Sequence, residues 1–189
     1  MKMDRRLARL AGLALLAAAQ AAAGSQRLAL WQYLRQGDGE TGTPVMPLPE
    51  IQIFGGGAHA GRRVDIQDFM VIAIGADSYA QALDWTAGVY RAAARLMEDG
   101  GLLQGVADEG GLWPAFDNNK DALDMLTRAI EAAGFAPGRE MAISLDVAAS
   151  EFGAKGKYKL ARDAKEMDSD GLSGLLVDWI ERYPIVAVE

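Results

Sequence analysis

Short apolar runs alternate along this chain with longer segments of helical periodicity, and only a small set of folds accommodates this alternation. The runs at residues 143–145 and Ile185–Val188 have the character of strands that are buried on both faces. Such strands belong to parallel sheets whose faces are covered by helices. The sequence therefore predicts an α/β fold with a parallel or mostly parallel sheet.

Periodicity and turn residues place seven elements after a helical N-terminal segment, in the order β-β-α-α-β-α-β. Gly134 is expected to end the second helix of this series, and Asp168 or Ser169 to begin the third. The predicted elements are strands 45–54 and 69–74, helices 79–97 and 120–133, strand 140–145, helix 169–183 and strand 185–188.

Composition excludes several classes of protein. Of 189 residues, 50% are hydrophobic and 24% charged, which is typical of a chain that can bury a core. The net charge is −7 and no basic run exceeds the pairs Arg5-Arg6 and Arg62-Arg63, so neither nucleic acid nor an anionic membrane is expected as a partner. The absence of cysteine excludes disulfides, thiolate metal sites and a cysteine nucleophile.

The first thirty residues fit two templates. A basic start followed by an Ala- and Leu-rich stretch that ends near Gly24 resembles a secretory signal peptide. The same stretch, with Leu7, Leu10 and Leu13 at helical spacing, is equally typical of a buried helix. A membrane span is disfavoured because residues 10–26 are about half Ala and barely long enough. The pattern alone leaves the first two interpretations open.

Acidic residues follow two of the predicted strands. Asp146 comes after strand 140–145, and Glu189 comes after the last strand, while the pair Asp108-Glu109 lies in the glycine-flanked segment GVADEGG. Carboxylates at the ends of parallel strands are candidates for binding a hard cation such as Mg²⁺. The alternative is that each is a simple turn former.

A glycine-rich segment, FGGGAHAGRRVDIQDFM, forms the second candidate site. Its four glycines surround His59, and Gln67-Asp68 begins the strand that follows. Such a loop can approach a ligand closely and can move. A lone histidine in such a loop is more often a surface residue, so a catalytic role for His59 is one of two interpretations.

Four blocks, GGGAHAGRRVDIQDFM, GVADEGGLWP, ISLDVAASEF followed by GKYKL, and YPIVAVE, resemble in order and spacing the barrel domain of enolase, the phosphopyruvate hydratase of glycolysis. The segment LALLAAAQAAAGSQRLALWQYL resembles the helix that leads into that domain. The resemblance runs from about Leu7 to Glu189 and favours the helix over the signal peptide. It implies a junction helix within residues 1–36 and, over 37–189, the first half of a truncated enolase-type (β/α)8 barrel.

The resemblance also implies a function: Mg²⁺-dependent dehydration of 2-phosphoglycerate, a small phosphorylated hydroxy acid, by a cytoplasmic homodimer that binds neither nucleic acid nor membrane. Asp146 and Glu189 would hold the metal, Glu109 would be the catalytic acid, and Asp68 and His59 would assist it and contact the substrate. A third metal ligand, a lysine base and phosphate-binding Arg and Ser residues are expected beyond Glu189, and a closing loop before the N-terminus. The chain alone is therefore expected to be inactive.

Four positions depart from the usual family pattern. Asp68 stands where a glutamate is usual and is one methylene shorter, and Gly55 stands where an asparagine is usual. Trp113 and Phe116 depart from the common GGFAPN pattern. These departures leave two alternatives open. One is a paralogue acting on another phosphorylated or phosphonylated hydroxy acid, and the other is a noncatalytic fragment or pseudoenzyme.

Overall fold

A computed structural model describes residues 5–39 and 42–189. The helices are α1 (Arg5–Ser25), α2 (Leu30–Gly37), α3 (Tyr79–Asp99), α4 (Asn119–Ala132) and α5 (Ser169–Arg182). The strands are β1 (Glu50–Gly55), β2 (Asp68–Ile72), β3 (Leu103–Val106), β4 (Leu112–Pro114), β5 (Ala142–Asp146), β6 (Gly153–Ala154), β7 (Lys157–Leu160), β8 (Lys165–Met167) and β9 (Ile185–Val188).

The chain divides into two compact units, Met1–Val45 and Met46–Glu189. Within the first, α1 and α2 contact one another. The predicted N-terminal helix is confirmed, but the expectation that it is buried is wrong within this unit. Leu13 and Leu15 are exposed, while Ala23 is buried. Two helices alone offer too little surface to cover an apolar helix on all sides.

The second unit is built on a six-stranded sheet in the order β3-β4-β1-β2-β5-β9. The expectation of a parallel or mostly parallel sheet is wrong for its centre, because β2 runs antiparallel to both β1 and β5. The pairs β5–β9 and β1–β4 are parallel. The reversal follows from the connections. A loop without a crossover helix joins β1 to β2, whereas β5 reaches β9 through the helix α5, as parallel pairing requires.

All seven predicted elements are present, with ends that differ by up to five residues. The predicted roles of Gly134 and Asp168 at helix ends are confirmed. Gly134 follows the end of α4 with a φ of 91°, and the Asp168 carboxylate accepts a hydrogen bond from the N–H of Gly171 at the start of α5. The sequence analysis did not identify the short strands β3 and β4 or the small antiparallel sheet β6-β7-β8. These strands have two to four residues, too few to show a period.

The core of the second unit lies between the sheet and the helices α3 and α4. Its fully buried side chains come from β1, β2, β5 and the inner faces of both helices. The largest of them include Ile53, Phe54, Phe69, Met97, Leu123, Leu126, Ile130, Ile143 and Leu145. Among the described residues, no helix is long and apolar enough to cross a membrane.

Candidate active site

The predicted acidic residues meet at one edge of the sheet, which we call the acidic edge: Asp68, Asp146 and Glu189. Asp68 is the first residue of β2 and is paired on one side with Gly55, the last of β1. On its other side it is paired with Asp146, the last residue of β5. Because β2 is reversed, its beginning lies where its neighbours end. Directly paired residues present their side chains to the same face of a sheet, so Asp68 and Asp146 are neighbours.

Glu189 stands beside Asp146 on the next strand. Its N–H donates to the carbonyl of Leu145 over 2.8 Å, and its carbonyl accepts from the N–H of Val147 over 2.9 Å. These two bonds bracket Asp146, so the backbones of the two acidic residues are one strand spacing apart, about 4.8 Å. The Glu189 side chain is exposed, and that of Asp146 is half-buried.

One amide links Asp68 to Glu109. Gln52 Nε2 donates to Asp68 Oδ1 and, over 3.2 Å, to Glu109 Oε2. The Gln52 Oε1 atom accepts from the N–H of Gly111 over 2.8 Å. Asp68 is buried and Glu109 is exposed. The GVADEGG segment thus reaches the acidic edge through Gln52, a residue that the sequence analysis did not single out.

A second amide links Asp68 to Asp146. Gln67 Nε2 donates to Asp146 Oδ2 over 2.9 Å and to Asp68 Oδ2 over 3.4 Å. The other oxygen of Asp146 accepts from the N–H of Ala148 over 3.0 Å. Together, Gln52 and Gln67 join the carboxylates of Glu109, Asp68 and Asp146 into one hydrogen-bonded chain. Each amide N–H offsets part of the repulsion between neighbouring negative charges.

The donor set suits a magnesium ion only in part. Asp146 and Glu189 offer carboxylate oxygens, and Mg²⁺ is commonly bound through one or two carboxylates with several water molecules. Over residues 5–39 and 42–189, no group of three or more His, Cys, Asp or Glu side chains is placed to hold a metal ion. The pair fits the chemistry of Mg²⁺ but does not complete a site with three protein ligands.

The glycine-rich loop, residues 56–67, is closely packed on itself. Gly56 donates to the carbonyl of Gln67 over 2.7 Å, and Gly57 donates to that of Val64 over 3.0 Å. A Cβ at Gly56 would lie 2.1 Å from the carbonyl oxygen of Ile66. These glycines therefore permit close packing of backbone against backbone. His59 lies on a short 3-10 helix, Gly57–Ala60, in this loop, and its side chain is outside the described residues.

Asn119 anchors the end of this loop and was missed by the sequence analysis. Its side chain is fully buried at the start of α4. Its oxygen accepts from the N–H groups of Asp65 and Ile66, over 2.8 and 3.3 Å. Its NH₂ group donates to the carboxylates of Asp65 and Asp163, over 2.9 and 2.7 Å. The segment directly before Gln67 is thereby fixed to α4.

The departures from the family pattern have structural counterparts. A Cβ at Gly55 would lie 2.6 Å from the Cβ of Ala107, so a side chain at 55 is incompatible with this arrangement. Phe116 is buried edge-on against Phe54, with ring centroids 5.4 Å apart. Arg63 Cζ lies over the ring of Trp113, 5.9 Å from the ring centroid. Both aromatic side chains are therefore packed against neighbouring side chains.

Two residues at the site carried weak sequence signals. Gln52 is a polar residue between Ile51 and Ile53 in a strand, the position of an ordinary solvent-facing side chain. Asn119 lies one residue after the N-cap Asn118, and either asparagine fits a cap by type. Only their contacts distinguish them.

The fold and the acidic edge define an α/β protein with carboxylates at the strand ends. Residues 43–189 match the family described as the enolase C-terminal TIM barrel domain. The chain is also 38% identical, over 177 residues, to Enolase 1 of Desulfitobacterium hafniense (strain Y51). That alignment covers 92% of this chain and 40% of the relative. The chain belongs to the enolase family, and its sheet is part of an enolase-type barrel.

Proposed function

We propose that this chain forms part of an Mg²⁺-dependent lyase that dehydrates 2-phosphoglycerate to phosphoenolpyruvate. The observation that supports this most directly is the hydrogen-bonded chain that joins Glu109, Asp68 and Asp146 at one edge of the sheet. Dehydration requires a proton to leave the carbon beside a carboxylate and a hydroxide to leave the next carbon. The second departure needs an acid, and the first needs the growing negative charge to be stabilised.

Glu109 is proposed as the acid that protonates the departing hydroxide. Its side chain is exposed at the edge, so an incoming substrate can reach it, and Gln52 holds it near Asp68. Asp68 is proposed to orient Glu109 through this amide and to contact the substrate. His59, on the glycine-rich loop, is proposed as a further substrate contact.

Asp146 and Glu189 are proposed to hold the metal ion. They end neighbouring parallel strands and offer oxygen atoms, the ligand type that Mg²⁺ prefers. A bound Mg²⁺ supplies positive charge that stabilises negative charge as it develops on the substrate carboxylate. Gln67 and the N–H of Ala148 orient the Asp146 carboxylate for this role.

The location and assembly follow the same proposal. We propose that the protein is cytoplasmic, because glycolytic dehydration takes place there. For the whole protein we propose a homodimer. Its small-molecule partner is the phosphorylated hydroxy acid.

The test is a hybrid in which this chain replaces the matching segment of Enolase 1, because the chain covers 40% of that relative's length. We expect the hybrid to form phosphoenolpyruvate from 2-phosphoglycerate with Mg²⁺. Glu109→Gln keeps the shape of the side chain and removes the transferable proton, so the rate should fall about 100- to 10,000-fold. Glu131→Gln, on an exposed position of α4, is the matched control. A Glu109→Gln hybrid as fast as this control would contradict the role.

A second candidate is a paralogue that acts on another phosphorylated or phosphonylated hydroxy acid. The shorter carboxylate of Asp68 and the glycine at position 55, where a Cβ would lie 2.6 Å from that of Ala107, support it, since the two positions are paired at the acidic edge. A displacement of about 1 Å can lower a rate about 100-fold. A rise in 2-phosphoglycerate turnover on Asp68→Glu in the hybrid would favour a slow enolase, and no change would favour the paralogue. A hybrid inactive on every substrate tried would support the noncatalytic alternative.

A further inference from the structure

The amide of Gln52 lies between two carboxylates. One belongs to Asp68 at the acidic edge and the other to Glu109 in the neighbouring loop. Its orientation is fixed by Gly111, whose N–H donates to Gln52 Oε1 over 2.8 Å. Because a backbone N–H can only donate, the amide oxygen must face Gly111. The NH₂ group is then turned toward Asp68 and Glu109, with one hydrogen available for each.

The backbone around Gln52 is shaped to keep its side chain in this position. The register of β1 against β2 shifts between Gln52 and Phe54, and a bulge of this kind redirects side chains. A Cβ at Gly111 would lie 2.2 Å from Gln52 Oε1. Glycine is therefore required at position 111 as long as the amide lies there.

We propose that Gln52 is a positioning residue, which holds Glu109 beside Asp68 and compensates for the shorter carboxylate at position 68. What the two carboxylates do chemically rests on the proposed function, whereas the contact itself does not. Glutamine is one methylene longer than asparagine, and aspartate is one methylene shorter than glutamate. The Gln52–Asp68 pair therefore spans the same distance as an asparagine facing a glutamate.

This arrangement explains how an exposed carboxylate can be held in place. Glu109 lies in the turn between β3 and β4, where a long side chain would otherwise sample several rotamers. The buried Asp68 anchors the amide from one side, and the amide then restrains Glu109 from the other. Each of the two N–H groups of the amide has its own carboxylate acceptor, so the amide fixes the position of Glu109 relative to Asp68.

The test measures the side chains of the full 189-residue chain by NMR. Hydrogen exchange of the Gln52 NH₂ group is expected to be about 10- to 150-fold slower than that of Gln36, an exposed glutamine on α2, which corresponds to one bond to a charged group. Relaxation of the Glu109 methylene carbons reports how far that side chain is ordered. Exchange at the Gln36 rate, or a Glu109 side chain already disordered in the unchanged chain, would overturn the proposal.

Three variants then separate positioning from simple packing. Gln52→Asn withdraws the amide, so Glu109 should become disordered, and the pair Gln52→Asn with Asp68→Glu should restore its order. Gly111→Ala should displace the Gln52 amide and so release Glu109, although residue 52 itself is unchanged. This variant tests the same contact if Gln52→Asn fails to fold. Gln36→Asn is the matched control and should leave Glu109 unchanged.

A paired variant no better ordered than Gln52→Asn would refute the compensation in length. The proposed function is tested separately, by phosphoenolpyruvate formation in the hybrid. An inactive hybrid would contradict that function without changing the conclusion from the NMR measurements.

Discussion

Substitution of the buried Asn119 by alanine tests how the acidic edge is held in position. Asn119 accepts from the N–H groups of Asp65 and Ile66 and donates to the carboxylates of Asp65 and Asp163. Asn119→Ala removes all four bonds in a side chain with no exposed surface. The segment that leads into Gln67 then loses its attachment to α4.

The expected loss can be worked from these bonds. Two bonds to carboxylates contribute about 1.5–3 kcal/mol each and two to neutral N–H groups about 0.5–1.5 each, a simple sum of about 4–9 kcal/mol. The Asp65 carboxylate also accepts from the N–H groups of Ala161 and Arg162, so it keeps donors after the substitution. Without the contribution of the Asp65 carboxylate bond, we expect a decrease of about 2.5–6 kcal/mol in the free energy of unfolding. For a chain of this length, that lowers the melting temperature by about 5–24 °C.

Thermal unfolding followed by circular dichroism measures this change, and the neighbouring residue provides the control. Asn118 caps α4 through a 3.0 Å bond from the N–H of Asp121. Asn118→Ala should decrease the free energy of unfolding by about 1 kcal/mol, as for loss of an N-cap. A melting temperature for Asn119→Ala no lower than that of Asn118→Ala would refute the importance assigned to the buried network.

Three further predictions concern packing, pH and activity. Gly55→Asn should decrease the free energy of unfolding by about 1–3 kcal/mol, because its Cβ would lie 2.6 Å from that of Ala107. Adding Ala107→Gly should recover most of this in thermal melts, and an equal loss in both variants would contradict the contact. Burial opposes ionisation of Asp124, but hydrogen bonds from Lys120 and Tyr183 outweigh it and hold the pKa of this carboxyl below its ordinary value of 3.8. Its stabilising contribution, below about 1 kcal/mol because the side chain is 46% exposed, is therefore complete above pH 3.8 and is lost as pH falls through the folded pKa. Tyr183→Phe should weaken this acid dependence in denaturant titrations, and an unchanged dependence would rule out the Tyr183 bond as a cause. Finally, the 189-residue chain alone should turn over 2-phosphoglycerate more slowly than the hybrid, because the two carboxylates of Asp146 and Glu189 bind Mg²⁺ weakly by themselves; turnover near that of the hybrid would contradict this.

Local patterns in the sequence predict the helices and strands that are long enough to show a period. The periodic segments of α3, α4 and α5 and the apolar run of β9 were predicted with ends that differ from the structure by no more than two residues. Asp146 could be placed at a strand end because the apolar run before it identifies β5. Each of these inferences depends on residues that are neighbours in the chain, which is the information a sequence pattern contains.

Long-range contacts set the direction of β2 and the connections between the acidic residues. Strand direction depends on how the chain crosses between strands, and a run of apolar residues has the same pattern in either direction. Gln52 contacts Glu109 across 57 positions of sequence, and Asn119 contacts Asp65 across 54. An amide in a strand or at a helix start has the same local pattern whether it faces water or joins two carboxylates. Which it does depends on the residues that folding brings beside it, and these lie far away in the chain.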